Sequence, residues 1–174
     1  MTHAPSISAA IVYRDSLLEK ARAEAWPTSE MAGRRLGAPA ASACKELAAK
    51  ERALGRLLGV WSASDRTFYH PPFQFASDGS VHPRFSELLK ALSQIPSLTH
   101  SADPGGWERL GWMYELRGSL SELSLAEAAS SSGIAEREGQ LDTRARTPAE
   151  VFPIAPEAVV ALAVSDAAWV LDLE

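Results

Sequence analysis

Apolar side chains at Phe85, Leu88, Leu89 and Leu92 fall at i, i+3, i+4 and i+7, the stripe of an amphipathic helix. Pro83 stands where a first helical residue belongs. Just upstream the period changes. Leu57, Leu58, Val60 and Trp61 form one apolar run, and Thr67, Phe68 and Tyr69 form a second, with a polar break from Ser62 to Arg66. β-branched and aromatic residues on either side of a Ser/Asp turn predict a small hairpin. Pro71 and Pro72 end its ladder, because proline has no N–H to donate. Phe73 and Phe75 flank Gln74 with period 2, so both rings are expected on one side of an extended crossover. Ser77, Asp78 and Gly79 make a turn.

Three helices are predicted before the hairpin. Residues 7–25 are rich in alanine and long side chains, and Ile7, Ile11, Leu18, Ala21 and Ala25 can share one face. Trp26-Pro27 ends this helix, since the residue before proline is pushed out of the α region. Thr28 or Ser29 can cap a second, short helix, with Glu30 in its first turn and Gly37 at its end. Pro39 or Ser42 restarts a third, expected over 41–58, with Ala43, Leu47, Leu54 and Leu58 near one face. Gly33 and Gly37 permit close helix approach and a tight turn.

Short helix, glycine turn and longer helix outline a helix-turn-helix. In such a unit Ser42, Lys45 and Lys50 would face a DNA groove, and Arg34 and Arg35 would reach phosphates. The hairpin would be a wing, with Arg66 at its tip. Helix pairs of this kind also occur in proteins that never touch DNA. An alanine-rich AASACKELAAK offers few of the Arg, Asn or Gln side chains that read bases.

After a loop over 95–106, Trp107 opens a further helix. Trp107, Leu110, Gly111 and Tyr114 line one face, and Trp112, Met113 and Leu116 another. A helix apolar on more than one face is either deeply buried or presents a face to a partner. Residues 117–140 are small, polar and acidic, with one weak helix around Leu125, Ala128 and Ala129, and are expected to be a surface excursion. Thr147, Pro148 and Glu150 then form a helix start, as cap, first residue and capping-box partner. Pro156 opens a last helix that packs Val159, Leu162, Ala163 and Val170 inward.

A chain of 174 residues with 46% apolar content can build a core. Residues 1–60 carry 9 Lys/Arg against 6 Asp/Glu, and residues 61–174 carry 8 against 16. That asymmetry suits a nucleic-acid-binding head on a protein-binding body, and equally an ordinary soluble surface. A lone Cys44 cannot form an internal disulfide, the N-terminus lacks the pattern of a secretory signal, and no apolar run could span a bilayer. A cytoplasmic protein is expected. No phosphate-binding glycine loop, dinucleotide fingerprint or serine elbow appears. None of His3, His70, His82 and His100 has a second ligand at metal-binding spacing. Asp78 and Glu87 form a conceivable carboxylate pair, although turn and helix-surface roles explain both. No catalytic residue, metal or cofactor is therefore assigned.

Three segments together resemble antitoxins of the Xre/MbcA/ParS family. GRLLGVWSASDRTFYHPPFQFASDGSVHPRFSELLKAL is similar to the family's leucine–glycine start, aromatic-Pro-aromatic-Gln-Phe crossover, D-G turn and leucine-rich helix. GWERLGWMYEL stands where the family has its tryptophan helix. RTPAEVF followed by APEAVVALA resembles its R-T-P-x-E-hydrophobic signature and final helix. The resemblance implies a non-enzymatic antitoxin, often dimeric, that occludes a toxin of the RES class, which consumes or transfers from NAD, and often binds its own promoter. Trp107, Arg146, Thr147, Pro148 and Glu150 match the toxin-binding signature, and Trp112 lies on the same helix. Two departures fall at that surface. Residues 117–140 intervene where the family has a short loop, and LDTRARTP stands in place of L-G-G-R-T-P.

The expected fold is mainly α. A helix-turn-helix-like part with a small hairpin spans 1–70, and a helical toxin-binding part spans 71–174. The leading expectation is an antitoxin. The alternative is a stand-alone DNA-binding transcriptional regulator.

Overall fold

The computed structural model describes residues 7–121 and 144–171. The fold is mainly helical with one two-stranded antiparallel hairpin. Helix α1 (Ile7–Ala23) leads to α2 (Ser29–Arg35) and α3 (Ala41–Ala53). The hairpin pairs β1 (Val60–Ser62) with β2 (Thr67–Tyr69), with Trp61 opposite Phe68. Then come α4 (Phe85–Leu92), α5 (Trp107–Tyr114), the short α6 (Pro148–Val151) and α7 (Pro156–Leu171). The expected weak helix around Leu125–Ala129, and most of the expected excursion, lie outside the described residues.

The α4 stripe is buried as its spacing predicts: Phe85, Leu88, Leu89 and Leu92 all enter the larger of two apolar clusters. That cluster draws Leu17, Ala21, Trp26, Leu58 and Val60 from one side of residue 70, and α4, α5, α6 and α7 from the other. The smaller cluster holds Ala32, Ala48 and Leu57, with Leu36, Phe75 and Val81 against it, and gives the α2–α3 pair its own core.

Five expectations change. Helix α4 starts at Phe85 with Arg84 as its cap, so Pro83 lies in the preceding turn and not at the first helical position. Helix α1 turns Leu17 and Ala21 inward and leaves Ile11 53% exposed, because an alanine-rich helix has no single dominant apolar stripe to fix its rotation. Helix α3 stops at Ala53, not Leu58. Gly55 takes φ +65°, its N–H donates to the Arg52 carbonyl, and the Arg56 N–H donates to that of Glu51. This glycine-closed helix end frees Leu57 and Leu58 to run in extended form toward β1. It also leaves Leu54 exposed, so the buried face of α3 is Cys44 and Ala48. Phe73 and Phe75 do not share a side. A 3-10 turn over Pro72–Gln74 advances about 120° per residue, which sends Phe73 into the larger cluster and Phe75 toward the smaller. Finally, α5 ends at Tyr114 and buries Arg109, leaving Leu116 exposed.

Gln74 lies between the two clusters, wholly buried. Its side chain accepts the Leu58 N–H (2.9 Å) and donates to the carbonyls of Leu58 (2.9 Å) and Pro71 (3.0 Å). His70, also fully buried, lies 2.9 Å from the Leu58 carbonyl through Nδ1 and 3.3 Å from Arg52 Nη1 through Nε2. A guanidinium only donates, so Nε2 carries the lone pair and Nδ1–H points at Leu58. Arg52 also donates to Ser29 Oγ (3.2 Å) and lies 3.9 Å over the Phe68 ring. Burial pushes Arg52 down to about 10, where it stays charged at neutral pH. One arginine on α3 thus joins α2, the hairpin and the buried histidine.

Burial pushes the His70 pKa down to about 4; the Leu58 carbonyl opposes this and the Arg52 charge adds to it. The folded chain therefore binds fewer protons here than the unfolded chain. The stabilisation is whole above about 6.5 and is lost as pH falls from there toward 4, up to about 3 kcal/mol. Asn at this position can offer an N–H to Leu58 but does not titrate. Urea unfolding of wild type and His70→Asn at several pH values between 7 and 4 should show the extra acid loss in the wild type alone. Equal pH slopes would refute this account of His70.

Candidate functional site

The C-terminal face is built on α5. Its N-terminus is closed from a distance by Asp103, whose carboxylate accepts the Arg109 backbone N–H and Nε (both 3.1 Å), while Arg109 Nη2 donates to the Asp103 carbonyl (2.7 Å). Both residues are buried, so the pair is shielded from water. Gly106, at φ +74°, turns the chain into α5 where any side chain would strike the Gly59 carbonyl. The helix start is thereby locked against the strand that begins at Val60.

The two tryptophans of α5 have different roles. Trp107 is half-buried, with the Arg14 guanidinium 5.9 Å over its ring and Arg14 paired to Glu108 at 2.8 Å. Trp112 is buried, and its Nε1–H donates to Asp166 of α7 (2.9 Å). Arg117 lies 5.7 Å over the Trp112 ring and pairs with Asp166 (3.2 Å) and Glu115 (2.9 Å). Five residues along a helix are about 140° apart, which explains why the two rings serve different neighbours.

The R-T-P-A-E segment folds as its spacing predicts. The Thr147 hydroxyl accepts the Glu150 N–H (3.3 Å), and the Glu150 carboxylate accepts the Thr147 N–H (2.8 Å). The second bond leads the causes that hold Glu150 below the usual carboxylate range. Pro148 is buried at the first helical position. Val151 and Phe152 are fully buried, with Phe152 edge-on to Phe85 at 5.5 Å. Arg146 and Arg117 exchange backbone hydrogen bonds at 2.9 and 3.2 Å, which ties the segment to the end of α5. Trp112 and Arg146 are thus joined through Arg117, whereas Thr147, Pro148 and Glu150 are engaged in starting α6.

A groove of about 570 Å³ runs between α5 and α7. Gly111, Trp112, Glu115 and Arg117 line it on one side, and Asp166 and Trp169 on the other. Trp169 is 68% exposed. Sequence reasoning missed Asp166 and Arg117, and gave Trp169 no role. Val159, Leu162, Ala163 and Val170 of α7 turn inward as their spacing predicts, the first and third fully buried and the others partly so, whereas the placing of Trp169 beside α5 depends on how the two helices meet.

On the N-terminal face Arg34, Arg35, Ser42, Lys45, Lys50 and Arg66 are all exposed. Thr28 caps α2, and Arg34 pairs with Glu30 at 3.2 Å. Arg35 lies 5.0 Å over Phe75. Lys45 and Lys50 flank a strip of α3, about 140° wide, that also carries Ser42 and Glu46. Arg66, at φ +51°, closes the hairpin turn beside Asp65. Asp65 itself holds Arg22 (2.7 Å), Ser62 (2.8 Å) and Tyr69 (3.2 Å), and Arg22 leads the causes of its lowered pKa.

Other candidate chemistry has local explanations. Cys44 is buried with Sγ 3.4 Å from the Ala40 carbonyl. Asp78 accepts the Ser80 N–H (2.9 Å), and Glu87 pairs with Arg84 (2.7 Å), so the two carboxylates are used separately. Among the described residues no group of His, Cys, Asp or Glu could hold a metal ion, and no helix is long and apolar enough to cross a membrane. No protein-family profile, curated protein or solved structure matches the chain.

Thr147→Ala removes the cap of α6 and should cost about 1 kcal/mol. Thermal unfolding should then show a midpoint about 2–4 °C lower. No change would mean that packing of Pro148 and Val151 alone holds the turn.

Proposed function

We propose that this chain is a non-enzymatic antitoxin that binds a RES-like, NAD-consuming toxin and blocks it by occupying the approach to its active site. The observation that carries the reading is the junction of two sequence-distant signatures. The tryptophan helix and the R-T-P-A-E turn meet through the Arg117–Arg146 backbone bridge, beside a groove edged by an exposed tryptophan. Tryptophan and arginine are favoured anchors of protein interfaces. Trp107 and Arg146 are each partly exposed, outside the groove lining, while Thr147, Pro148 and Glu150 hold the turn in shape.

Co-expression with the adjacent reading frame, tagged on that neighbour, tests the proposal. The expected outcome is a stable complex and relief of the neighbour's toxicity. Trp107→Ala should weaken the complex by about tenfold or more. A neighbour that is harmless alone and forms no complex would overturn it.

The second reading, a DNA-binding regulator, rests on the exposed Arg34, Arg35 and Lys45 of the α2–α3 pair. It predicts salt-dependent binding to the DNA upstream of its own gene, lost on replacing these three with alanine. No mobility shift at low salt would sink it.

A further inference from the structure

Gly111 is a helix-interior glycine that no close approach among the described residues accounts for. A Cβ built there meets no atom of the described residues within 4 Å, and its φ lies outside the left-handed range. Gly33 of α2 is the contrast, since a Cβ there would overlap the Cys44 carbonyl of α3. An interior helical glycine costs about 1 kcal/mol relative to alanine. At Gly33 the close approach of two helices accounts for it. At Gly111 the open space lies in the α5–α7 groove.

The groove has a definite chemistry. Ile95, Leu98, Trp112, Trp169 and Val170 give it apolar surface. Glu108, Glu115 and Asp166 stand against the single Arg117 among its charged lining residues. The Glu108 and Glu115 side chains are 56% and 62% exposed at the rim, Glu108 paired with Arg14 and Glu115 with Arg117. Arg14 meets Glu108 from outside the lining and leaves the balance negative.

We propose that the α5–α7 groove seats a basic amphipathic helix of the partner protein, which comes closest at Gly111. The occupant carries apolar anchors at helical spacing for the tryptophan-lined floor and Lys or Arg toward the acidic rim. The missing side chain at Gly111 lets its backbone or a large anchor approach α5. This inference rests on the reading of the chain as an inhibitory binding protein and names the surface that does the binding.

Gly111→Leu is the direct test, because Gly111 lines the groove and a Cβ added there meets no atom of the described residues. Its thermal midpoint should match or exceed that of the wild type. Its affinity for the neighbour-encoded protein should fall by about tenfold or more, as should that of Trp169→Ala, while Lys90→Ala, at an exposed position on α4 outside the groove, binds normally. Equal capture of the neighbour by wild type and Gly111→Leu would overturn the groove and leave the antitoxin reading standing. If the wild type captures no neighbour, that reading fails, and a peptide decides the groove by itself. A synthetic helix of leucine and lysine at amphipathic spacing would be titrated against the chain's tryptophan fluorescence, beside a twin with glutamate for lysine. Saturable binding of the lysine peptide alone, weakened about tenfold by Gly111→Leu, would uphold the groove chemistry. No binding, or binding indifferent to the variant or to the peptide's charge, would overturn it.

Discussion

The backbone of Leu58 is the point on which the structure turns. It runs through the interior between two apolar clusters, Leu57 facing the smaller and Leu58 the larger. Neither its N–H nor its carbonyl has a β-sheet partner, and both are met by side chains. Gln74 takes the N–H and shares the carbonyl with His70. A buried peptide group left unpaired costs about 1–3 kcal/mol, so these side chains stand in for a missing strand. The same crossing explains the crowding of Gly59 by Arg52 and His70, and the approach of Gly106 to its carbonyl. The α2–α3 pair, the hairpin and α5 are therefore mutually positioned at one short extended segment.

From that crossing two faces diverge. The N-terminal face is a helix pair with a small core of its own, held to the hairpin through Arg52. Its basic residues are spread over α2, the flanks of α3 and the hairpin turn, with Glu30 and Glu46 among them. Charges of both signs are therefore interspersed across that face. The C-terminal face concentrates aromatic and acidic side chains along α5 and α7, with Trp112 immobilised by Asp166 and Trp169 left open. Its order comes from ties on both sides. Asp103 and Gly106 fix where α5 begins, while the Arg117–Arg146 bridge and the Thr147–Glu150 capping box fix where α6 begins. These ties leave the surface little conformational freedom.

Residues that dictate local geometry were legible in the sequence. The α4 stripe, the paired extended runs, Pro71 and Pro72 as a ladder end, Gly37 as a helix end and Thr147-Pro148-Glu150 as a helix start act within a few residues of themselves, and each does so in the fold. Two local devices, the Gly55 helix end and the turn over Pro72–Gln74, shortened α3 and parted Phe73 from Phe75. Elsewhere the deciding partner was remote. Ile11 faces outward because α1 docks through Leu17 and Ala21. Arg109 is buried because Asp103 neutralises it. Gln74 sits in the interior because Leu58, sixteen residues away, needs both a donor and an acceptor.

By itself, then, the sequence determined the mainly helical class, the hairpin, the Thr28 cap and Gly37 end of α2, and the helix starts at Pro148 and Pro156. The tertiary structure alone decided which side of α1 is covered, that the R-T-P-A-E turn meets the end of α5, and that Gly111, Asp166 and Trp169 share one groove. The physical reason is range. Capping, proline geometry and hydrophobic period are local and readable in order along the chain. Burial of a charge, satisfaction of an interior peptide group and the opening of a groove depend on which distant surfaces meet.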